Sequence, residues 1–503
     1  MRYPILLVLA AAFGGGPPPI AAPARLRVIG ITDFHGALEP RPDATGRMRG
    51  GAAAFSTAIA RARAECRPPE CESILLDGGD EFQGTPASNL AFGRPVSELF
   101  NRLGVDAAAL GNHEWDWGQD TLRARIAQQR YRVLGANVRY ADGRRVPWIP
   151  ADTIVVRGGV RVGVIGITTR STATSTKASN IQGLVFLDAA PIVDSIAIAL
   201  RARGANVIVV VGHVGAMCQP SGTCGGEIID MAQRLTQRVD AIVAGHSHAL
   251  VNTVVNGIPI VEARATGQSI GVIDIPLEPR GVASREVRDV YTDSLPGDPE
   301  AARIANAAVQ AVAARVNRTV ATIAEDMRRQ GFDYALGKLV ADAMRAAGNA
   351  DFAVMNQGGI RADLRKGPAT YGDLFEISPF ANYLYRVTAP GADVRRYLEL
   401  VVRGPRPRGW ISGATITYDT TRADGDRITA IELPGGRAFL ETATYTVVIN
   451  DFMLTGGNGF AFVGTAKSEP VNVVDLDALV GWVESRPQPV VAPNDVRLRV
   501  VPR

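Results

Sequence analysis

Short apolar runs alternate with amphipathic stretches along the first half of the chain. The runs are bounded by glycine or polar residues, a pattern typical of strands that are buried on both faces of a sheet. They are Leu26–Ile31, Ile74–Leu76, Ala107–Leu110, Val162–Ile167, Val207–Val211 and Ala241–Ala244. Between them, Gly51–Arg63 and Ala189–Ala202 carry apolar residues at helical spacing. This alternation predicts a layered α/β domain, to which we assign residues 25–285.

An alanine-rich segment separates this half from a second set of predicted elements. Glu300–Met327 predicts one long helix, which we place in a linker between domains at residues 286–327. Tyr334–Ala347 has the spacing of a further amphipathic helix. Predicted strands follow at Phe352–Met355, Ala414–Tyr418, Ile428–Leu433 and Tyr445–Ile449. The second half, residues 328–503, is therefore expected to form a smaller α/β domain.

Composition and charge exclude several classes of protein. With 46% hydrophobic and 21% charged residues, the 503-residue chain is expected to form two or three folded domains. The net charge of +4 is small for this length, which gives no basis for binding a nucleic acid polymer or a membrane surface. Beyond the N-terminal segment no run reaches the roughly 18 apolar residues of a membrane span, so we expect no stable membrane anchor. The composition leaves the oligomeric state open.

The first 24 residues have the features of a signal peptide. Arg2 provides a positive charge, Ile5–Phe13 forms a short apolar region, and Ala22-Pro23-Ala24 resembles a cleavage site. We therefore expect an exported protein, either periplasmic or extracellular.

Four cysteines form two closely spaced pairs, Cys66 with Cys71 and Cys218 with Cys224. Both pairs bracket loop-like sequence, and short loops are easily closed, so we predict two local disulfides in an oxidising compartment. The alternative is a zinc site of four thiolates, which is disfavoured because the spacings lack the tight C-x-x-C form.

All five histidines lie in loops directly after predicted strands. They are His35, His113, His213, His246 and His248. The same strand ends also carry Asp33, Asp80 and Asn112. Because ligands bind beyond the carboxyl ends of strands in open α/β sheets, we expect these side chains to converge. Each alone is compatible with a cap or a turn, but independent structural placement does not explain all five histidines.

The converging groups form a mixed set of imidazoles, carboxylates and one carboxamide. This donor set suits Mn, Fe, Co or Zn better than Ca or Mg alone. A carboxylate such as Asp80 can bridge two divalent ions about 3.5–4 Å apart, the arrangement used by phosphatases. Two such ions would lower the pKa of a bound water and clamp phosphate oxygens, which favours a metal-dependent phosphoric ester hydrolase.

Five sequence blocks in these loops resemble a known family. In chain order they are TDFHG, DGGD, GNHEWDWG, GHVG and GHSH. They are similar to the signature blocks of the calcineurin-like metallophosphoesterases, and most closely to the exported 5′-nucleotidase branch, which has a 5′-nucleotidase C-terminal domain. The resemblance covers nearly all of the mature chain. It implies a layered α-β-β-α sandwich followed by a smaller α/β substrate-binding domain.

The resemblance also implies a role for each residue in the blocks. It assigns one divalent ion to Asp33, His35, Asp80 and His248. It assigns a second ion to Asp80, Asn112, His213 and His246. His113 would face the substrate phosphate instead of a metal, with Asp116 orienting its ring.

In the second half of the chain, the resemblance points to a nucleotide pocket. The segment NQGGIR supplies Asn356 and Arg361, and this arginine would grip the phosphate as a planar fork. Phe380 and Phe452 occupy the positions of two rings that sandwich the nucleobase.

Two positions depart from the family pattern. Asn458 replaces an aspartate that accepts hydrogen bonds from the ribose hydroxyls, so this group is uncharged here. Gln330 stands where relatives carry a phosphate-binding arginine, a role that Arg328 or Arg329 would fill after a small shift. Both departures concern substrate binding and leave the predicted metal ligands intact.

The function implied by the resemblance is hydrolysis of nucleotides. As a 5′-nucleotidase, the protein would use metal-bound hydroxide to release phosphate from a small-molecule nucleotide. The same metal site serves two alternatives, a UDP-sugar diphosphatase and a 2′,3′-cyclic-nucleotide 2′-phosphodiesterase with 3′-nucleotidase activity. A thiosulfate-ester hydrolase is disfavoured by the phenylalanine pair, since its substrate has no base to stack. A catalytically dead exported nucleotide-binding protein is disfavoured because every predicted ligand is present.

Overall fold

The computed structural model describes residues 23–501, with the exception of residues 44, 280, 282, 463 and 465. The predicted signal peptide lies outside the described residues except for its last two positions, so it stays a prediction. Within the described part of the chain, no helix combines the length and the apolar character that a membrane crossing requires.

Two six-stranded sheets form the first half of the structure. From edge to edge, the first sheet consists of Ser284–Asp289, Ser269–Pro276, Arg25–Ile31, Cys71–Asp77, Ala107–Ala109 and Arg132–Leu134. The second consists of Leu250–Val255, Ile258–Ala263, Ala241–Ala244, Val207–His213, Val160–Thr168 and Asp152–Arg157. The six strands predicted from apolar runs all form, three in each sheet, and within each sheet these three run parallel.

Helices cover the outer face of each sheet, and an apolar core lies between the two sheets. On the first sheet the helices are Ala52–Ala64, Arg94–Leu103, Gly118–Ile126 and Pro299–Val316. On the second sheet they are Ala190–Ala202 and Glu227–Arg234. Inward-facing side chains such as Val28, Leu76, Val164 and Val209 are fully buried between the sheets. The predicted α-β-β-α sandwich is therefore confirmed.

The second half is built on a five-stranded sheet. Its strand order is Gly409–Ser412, Phe352–Asn356, Thr444–Asn450, Tyr383–Pro390 and Lys467–Val474. One face is covered by the helices Ala335–Gly348, Tyr371–Ile377 and Asp475–Ser485. The other face is covered by helix Gly391–Glu399 and by a sheet of Arg437–Ala438, Ile428–Leu433, Thr415–Tyr418 and Leu498–Val500. The one helix and the four strands predicted here all form, within one residue of their predicted bounds.

Shorter elements border these layers. Paired short strands are Arg41–Pro42 with Met48–Arg49, Val138–Tyr140 with Leu184–Phe186, Met217–Cys218 with Cys224–Gly225, and Thr319–Ile323 with Gly367–Thr370. Single-turn α-helices are Pro86–Asn89, Thr172–Ser175 and Asp451–Leu454. The 3₁₀ turns are His113–Trp115, Ala178–Ile181, Gln357–Gly359, Pro434–Gly436 and Gly457–Gly459.

The predicted long helix over Glu300–Met327 is wrong in its second part. The helix begins at Pro299 and ends at Val316, and Thr319–Ile323 forms a strand. The start is well defined because Asp298 accepts hydrogen bonds from the first-turn amides and proline fits the first helical position. Four of the five residues in TVATI are β-branched, which favours a strand. The alanine-rich composition before it hides this change of period.

The cysteine prediction is confirmed. Cys66 is bonded to Cys71, and Cys218 is bonded to Cys224. Because both pairs are closed, the alternative of a four-thiolate zinc site is wrong.

A buried carboxyl group at the start of helix Asp475–Ser485 makes stability depend on pH. Asp475 accepts hydrogen bonds from Asn382 Nδ2 at 3.2 Å and from the amide of Leu476 at 2.9 Å. Burial raises the pKa of Asp475 to about 7, and the carboxylate of Asp451 adds to this rise. The pKa of an aspartate in the unfolded chain is about 3.9. The contribution of Asp475 to the free energy of unfolding is therefore complete below that pH and is lost as the pH rises through 7.

We therefore expect Asp475→Asn to stabilise the protein above pH 7 and to leave stability nearly unchanged at pH 4. The carboxamide stays neutral at every pH, which avoids an ionisation that costs about 1–4 kcal/mol. Denaturation midpoints measured from pH 4 to pH 9 check this. An identical pH profile for variant and parent would contradict the assignment.

Candidate active site

The loops after five strands bring the predicted ligands together at one end of the two sheets. In the first sheet Asp33 and His35 follow Arg25–Ile31, while Asp80 follows Cys71–Asp77. These two strands run parallel with Ile31 opposite Asp77, so their loops leave the sheet side by side. In the second sheet His213 ends its strand, and the His246 loop follows the parallel neighbour. The predicted convergence at the carboxyl ends therefore forms across both sheets.

Most of these residues adopt a backbone conformation that side chains rarely take. Positive φ values occur at Asp33 (51°), His35 (51°), Asp80 (56°), His246 (85°) and His248 (55°). Such conformations cost on the order of 1–3 kcal/mol each and persist where surrounding contacts hold them. Here the loops hold one another, because Asp33 N donates to Gly79 O at 2.9 Å and His35 N donates to Asp80 O at 3.0 Å. Strain concentrated in one place is typical of a functional site.

The first predicted ligand group is compact. His35 Nε2 lies 3.0 Å from His248 Nε2 and 3.6 Å from Asp80 Oδ2. His248 Nε2 lies 3.4 Å from Asp33 Oδ1. One ligand atom from each of the four side chains lies within 4.8 Å of all the others, so together they could hold one ion.

The second predicted group shares Asp80 with the first. Asp80 Oδ2 lies 3.1 Å from His213 Nε2, which in turn lies 3.2 Å from His246 Nδ1. Asn112 Oδ1 is also 3.1 Å from His213 Nε2. The structure thus brings all seven predicted ligands into two adjoining groups with one carboxylate in common.

The contacts of the imidazoles fit divalent cations. His35 Nδ1 donates to the carbonyl of Gln83 at 2.7 Å, and His213 Nδ1 donates to the carbonyl of Gly78 at 2.9 Å. In the neutral ring each Nε2 then carries a lone pair, which faces the carboxylate of Asp80 and a second imidazole. Facing lone pairs and anionic oxygens repel one another unless a cation lies among them, and a ring held by a carbonyl is the usual support of a metal-binding histidine.

The electrostatics of the site also favour positive charge. Burial opposes ionisation of Asp33, yet the neighbouring His248 lowers the pKa of Asp33 to about 2. Burial likewise lowers the pKa of His213, but the carboxylate of Asp80 outweighs this and raises that pKa to about 10. The carboxylates of the site thus stay anionic although they are almost fully buried. Buried anions of this kind are found where they are paired or coordinate metals.

Glu114 is a functional residue that the sequence did not indicate. Its carboxylate accepts hydrogen bonds from the amides of Asp80 at 2.9 Å, Glu81 at 2.8 Å and Gly111 at 2.6 Å. Gly111 is required here, since a Cβ would lie 2.0 Å from Asp80 Oδ1. Glu114 therefore positions the shared carboxylate. Its only sequence signal is its place beside His113, where a loop glutamate is normally expected in solvent.

His113 and Asp116 form the predicted pair. His113 Nδ1 lies 2.8 Å from Asp116 Oδ2, and the amide of His113 donates to Asp80 Oδ1 at 2.9 Å. Burial raises the pKa of Asp116, an effect that the nearby His113 opposes. The ring of His113 stacks on Phe380, with centroids 5.4 Å apart and planes at 19°. The Nδ1 atom is thus engaged, whereas Nε2 has no hydrogen-bond partner among the described residues.

A cavity of about 740 Å³, which we call the substrate cleft, lies between the two halves of the protein. From the first half it is lined by Asp80, Asn112, His113, Asp116, His246 and His248. From the second half it is lined by all five predicted substrate-binding residues, Asn356, Arg361, Phe380, Phe452 and Asn458. Contacts across the cleft hold the halves together, among them the ion pair of Lys177 with Asp451 and the hydrogen bond from Asn89 Nδ2 to Pro379 O.

A chain of carboxamides fixes the orientation of Asn458. Asn450 Oδ1 accepts from the amide of Met453, and Asn450 Nδ2 donates to Asn356 Oδ1 at 3.1 Å. Asn356 Nδ2 then donates to Asn458 Oδ1 at 3.0 Å. The oxygen of Asn458 is therefore used inside the protein, and its amino group has no partner among the described residues. Arg408, which sequence reasoning missed, supports the same loop by donating to Asn458 O at 2.7 Å.

Sequence comparison identifies both halves. Residues 26–250 match the family of calcineurin-like phosphoesterases, and residues 311–465 match the 5′-nucleotidase C-terminal domain. Endonuclease YhcR of Bacillus subtilis is 31% identical over 503 positions, which cover 94% of this chain and 41% of YhcR. The chain thus spans less than half the length of that relative. The 5′-nucleotidase of Bos taurus is 25% identical over 546 positions, which cover 94% of this chain and 91% of the bovine enzyme.

Comparison with solved structures agrees. The crystal structure of a 5′-nucleotidase precursor from Thermus thermophilus superposes with a TM-score of 0.84 at 27% identity, covering 95% of this chain and all of that one. The fold and the family matches therefore agree. Residues 26–250 of the chain belong to the calcineurin-like phosphoesterase family, and residues 311–465 belong to the 5′-nucleotidase C-terminal domain family.

Proposed function

We propose that the protein is an exported, metal-dependent 5′-nucleotidase that releases phosphate from small nucleotides. The observation that carries the proposal is the substrate cleft, where Arg361 and His113 lie at the predicted ligands and Phe380 and Phe452 line the same cavity. Such a cavity offers a charged end for phosphate and aromatic faces for a base. The similarity to the bovine and Thermus 5′-nucleotidases supports the same substrate class.

In this proposal, Asp33, His35, Asp80, Asn112, His213, His246 and His248 hold two divalent ions of the Mn, Fe, Co or Zn type. When bound, such ions activate water and withdraw charge from the phosphate. Arg361 holds phosphate oxygens through its planar guanidinium. His113 donates a proton from Nε2 toward the leaving 5′-oxygen, while Asp116 fixes the ring through Nδ1. Because Phe380 stacks on His113, the base-binding ring also positions the proton donor.

In this proposal, the two halves of the protein have different roles in the reaction. Residues 25–285 would supply the ligands and residues 328–503 the substrate contacts, with residues 286–327 as the linker. The linker is anchored at both ends, since helix Pro299–Val316 buries Ile304 against the first half and Arg315 donates to the hydroxyl of Tyr371 at 3.0 Å. Export is supported by the two disulfides, which form and persist in oxidising compartments.

Phosphate release from the purified, metal-loaded protein tests the proposal. The panel consists of AMP, a 3′-nucleotide, a 2′,3′-cyclic nucleotide, UDP-glucose, ATP and an aryl phosphate, each with a chelator control. We expect AMP to be preferred and activity to be lost on metal removal. No activity on any nucleotide, despite bound metal, would contradict the nucleotide assignment and leave the metal site standing.

A second candidate function is hydrolysis of phosphodiesters. This class includes the 2′,3′-cyclic-nucleotide phosphodiesterase considered from the sequence. It is favoured by the 31% identity to a protein named an endonuclease. The same panel separates the two, because a phosphodiesterase would act on the cyclic nucleotide faster than on AMP. Preference for UDP-glucose would instead support a UDP-sugar diphosphatase.

The orientation of Asn458 predicts weakened recognition of ribose. Its oxygen already accepts a hydrogen bond from Asn356, and the residue lines the cleft where the family resemblance implies a carboxylate. We expect Asn458→Asp to lower KM for AMP about three- to tenfold, since a hydrogen bond to a charged acceptor is worth about 1 kcal/mol more than one to a neutral acceptor. The matched substrate is 2′,3′-dideoxy-AMP, which lacks both hydroxyls and should show no gain. An equal gain on both nucleotides would contradict a ribose contact.

A further inference from the structure

A second cavity adjoins the predicted first metal group. We call it the basic cavity; it has a volume of about 660 Å³, and its lining includes His35 and His248. It shares only His248 and Arg361 with the lining of the substrate cleft and includes neither Phe380 nor Phe452. The metal group therefore opens into two chambers, of which one has the aromatic rings and the other does not.

Cations outnumber acids around the basic cavity. The basic side chains are Arg41, Arg264, Arg329, Arg361, Arg365 and Lys366, and the acids are Asp363, Asp373 and Glu376. The acids are already engaged within the protein. Arg41 Nη2 lies 2.7 Å from Glu376 Oε1. Arg329 Nε lies 3.2 Å from Asp363 Oδ1, and Asp373 Oδ2 accepts from the amide of Thr370 at 2.7 Å.

Three cations of the basic cavity are left without an acidic partner. Arg361, Arg365 and Lys366 form no ion pair among the described residues. Arg361 is placed at the metal group, and the other two lie on the exposed segment that follows it. More distant carboxylates do act on two of them, Asp80 on Arg361 and Asp326 on Arg365. Cations gathered in a concave site without a directly paired carboxylate attract anions, because the surrounding low-dielectric walls focus their field.

An unpartnered amide lines the same cavity. Gln83 is 1% exposed, and neither its Nε2 nor its Oε1 has a hydrogen-bond partner among the described residues. Its backbone carbonyl holds His35 Nδ1 at 2.7 Å, so the residue sits directly behind the metal group. A buried amide without a partner costs about 1–3 kcal/mol, which a ligand group in the cavity would offset.

We propose that the basic cavity is a second anion subsite, which holds a phosphate group lying beyond the phosphorus at the metal centre. It would accept nucleotide phosphodiesters whose second ester group carries its own phosphate, such as a 5′-phosphorylated dinucleotide. The nucleoside on one side occupies the aromatic cleft, and the phosphate on the other side meets Arg365 and Lys366. The inference rests on the proposed function, since it uses the same metal centre and extends its substrate class.

A matched pair of diesters tests the subsite directly. Thymidine 5′-phenyl phosphate and its 4-phosphonophenyl analogue differ in one phosphonate group, which cannot be hydrolysed from its ring. Calorimetry on the metal-loaded protein measures the Kd of each. We expect the phosphonate to tighten binding about tenfold in the parent, and Arg365→Gln/Lys366→Gln to reduce that advantage to about twofold or less.

Both substituted side chains are exposed, so the fold should be retained. Arg61→Gln, an exposed arginine remote from the basic cavity, is the control and should keep the full advantage.

The outcomes separate this inference from the proposed function. Equal Kd values for the two diesters in the parent, or an undiminished advantage in the double variant, would overturn the subsite. Inorganic phosphate is titrated in parallel and should lose less affinity in the double variant than the phosphonate diester does. An equal or larger loss for inorganic phosphate would show a site for free phosphate and overturn the diester assignment. AMP hydrolysis is measured separately in all three proteins and should have the same rate in each. If none of the three hydrolyses AMP, that result would count against the 5′-nucleotidase proposal alone.

Discussion

Replacing Asp80 by asparagine is expected to remove bound metal and to lower kcat/KM for AMP by at least about a thousandfold. Asp80 Oδ2 lies 3.1 Å from His213 Nε2 and 3.6 Å from His35 Nε2, so one oxygen belongs to both ligand groups. Asparagine keeps the shape and can still accept the hydrogen bond from the amide of His113, but it loses the bridging charge. Metal-ion catalysis is worth several kcal/mol, and each 1.36 kcal/mol is about a factor of ten in rate.

Asp77→Asn is the matched control for this variant. Asp77 is fully buried at the end of the strand that precedes Asp80, and it belongs to neither ligand group. Burial raises its pKa well above the usual value, which disfavours the charge that asparagine lacks. We therefore expect Asp77→Asn to keep both metal and turnover. Metal content by elemental analysis and initial rates on AMP decide the comparison. An Asp80→Asn protein with full metal content and turnover within tenfold of the parent would contradict the bridging role.

The strands were predictable because each is short, apolar and bounded by glycine or polar residues. A buried strand such as Val207–His213 has almost no other way to satisfy its backbone and its side chains. The residue pattern by itself does not say which strands share a sheet, since a strand that faces helices on one side and a second sheet on the other is apolar on both. The division into two sheets followed from the family resemblance. The end of the helix at Val316 was not predicted, because the alanine-rich helical pattern before it was extended across the β-branched residues of Thr319–Ile323.

The site residues could be predicted from the sequence because histidines and carboxylates stand out where strands end. The contacts that support them could not be predicted in this way. The carbonyls of Gln83 and Gly78, which hold His35 and His213, can belong to any residue type. Likewise, the direction of the carboxamide chain that ends at Asn458 depends on Asn356, which lies 102 positions before Asn458 in the sequence. Residue identity predicts which atoms can bind, whereas the fold decides which of them are already used.

Replacing His113 by alanine is expected to leave metal content unchanged while lowering kcat for AMP by about 10²–10⁴-fold, the usual contribution of a positioned proton donor. The amide of residue 113 still donates to Asp80 Oδ1, so the ligand loop keeps its contact. Asp116→Asn should cause a smaller loss, because the ring remains but its Nδ1 partner at 2.8 Å is no longer an anion. Metal analysis and kcat on AMP measure both effects.

The leaving group distinguishes a proton donor from a residue that only shapes the site. The 5′-oxygen of a nucleoside needs a proton as it departs, whereas p-nitrophenolate leaves without one at neutral pH. His113→Ala should therefore retain far more activity on p-nitrophenyl phosphate than on AMP. Metal loss with turnover retained would refute the assignment outright. An equal loss on both substrates would mean that His113 acts on the phosphate oxygens instead of the leaving group, in keeping with its position between Asp116 and Phe380 at the edge of the ligand group.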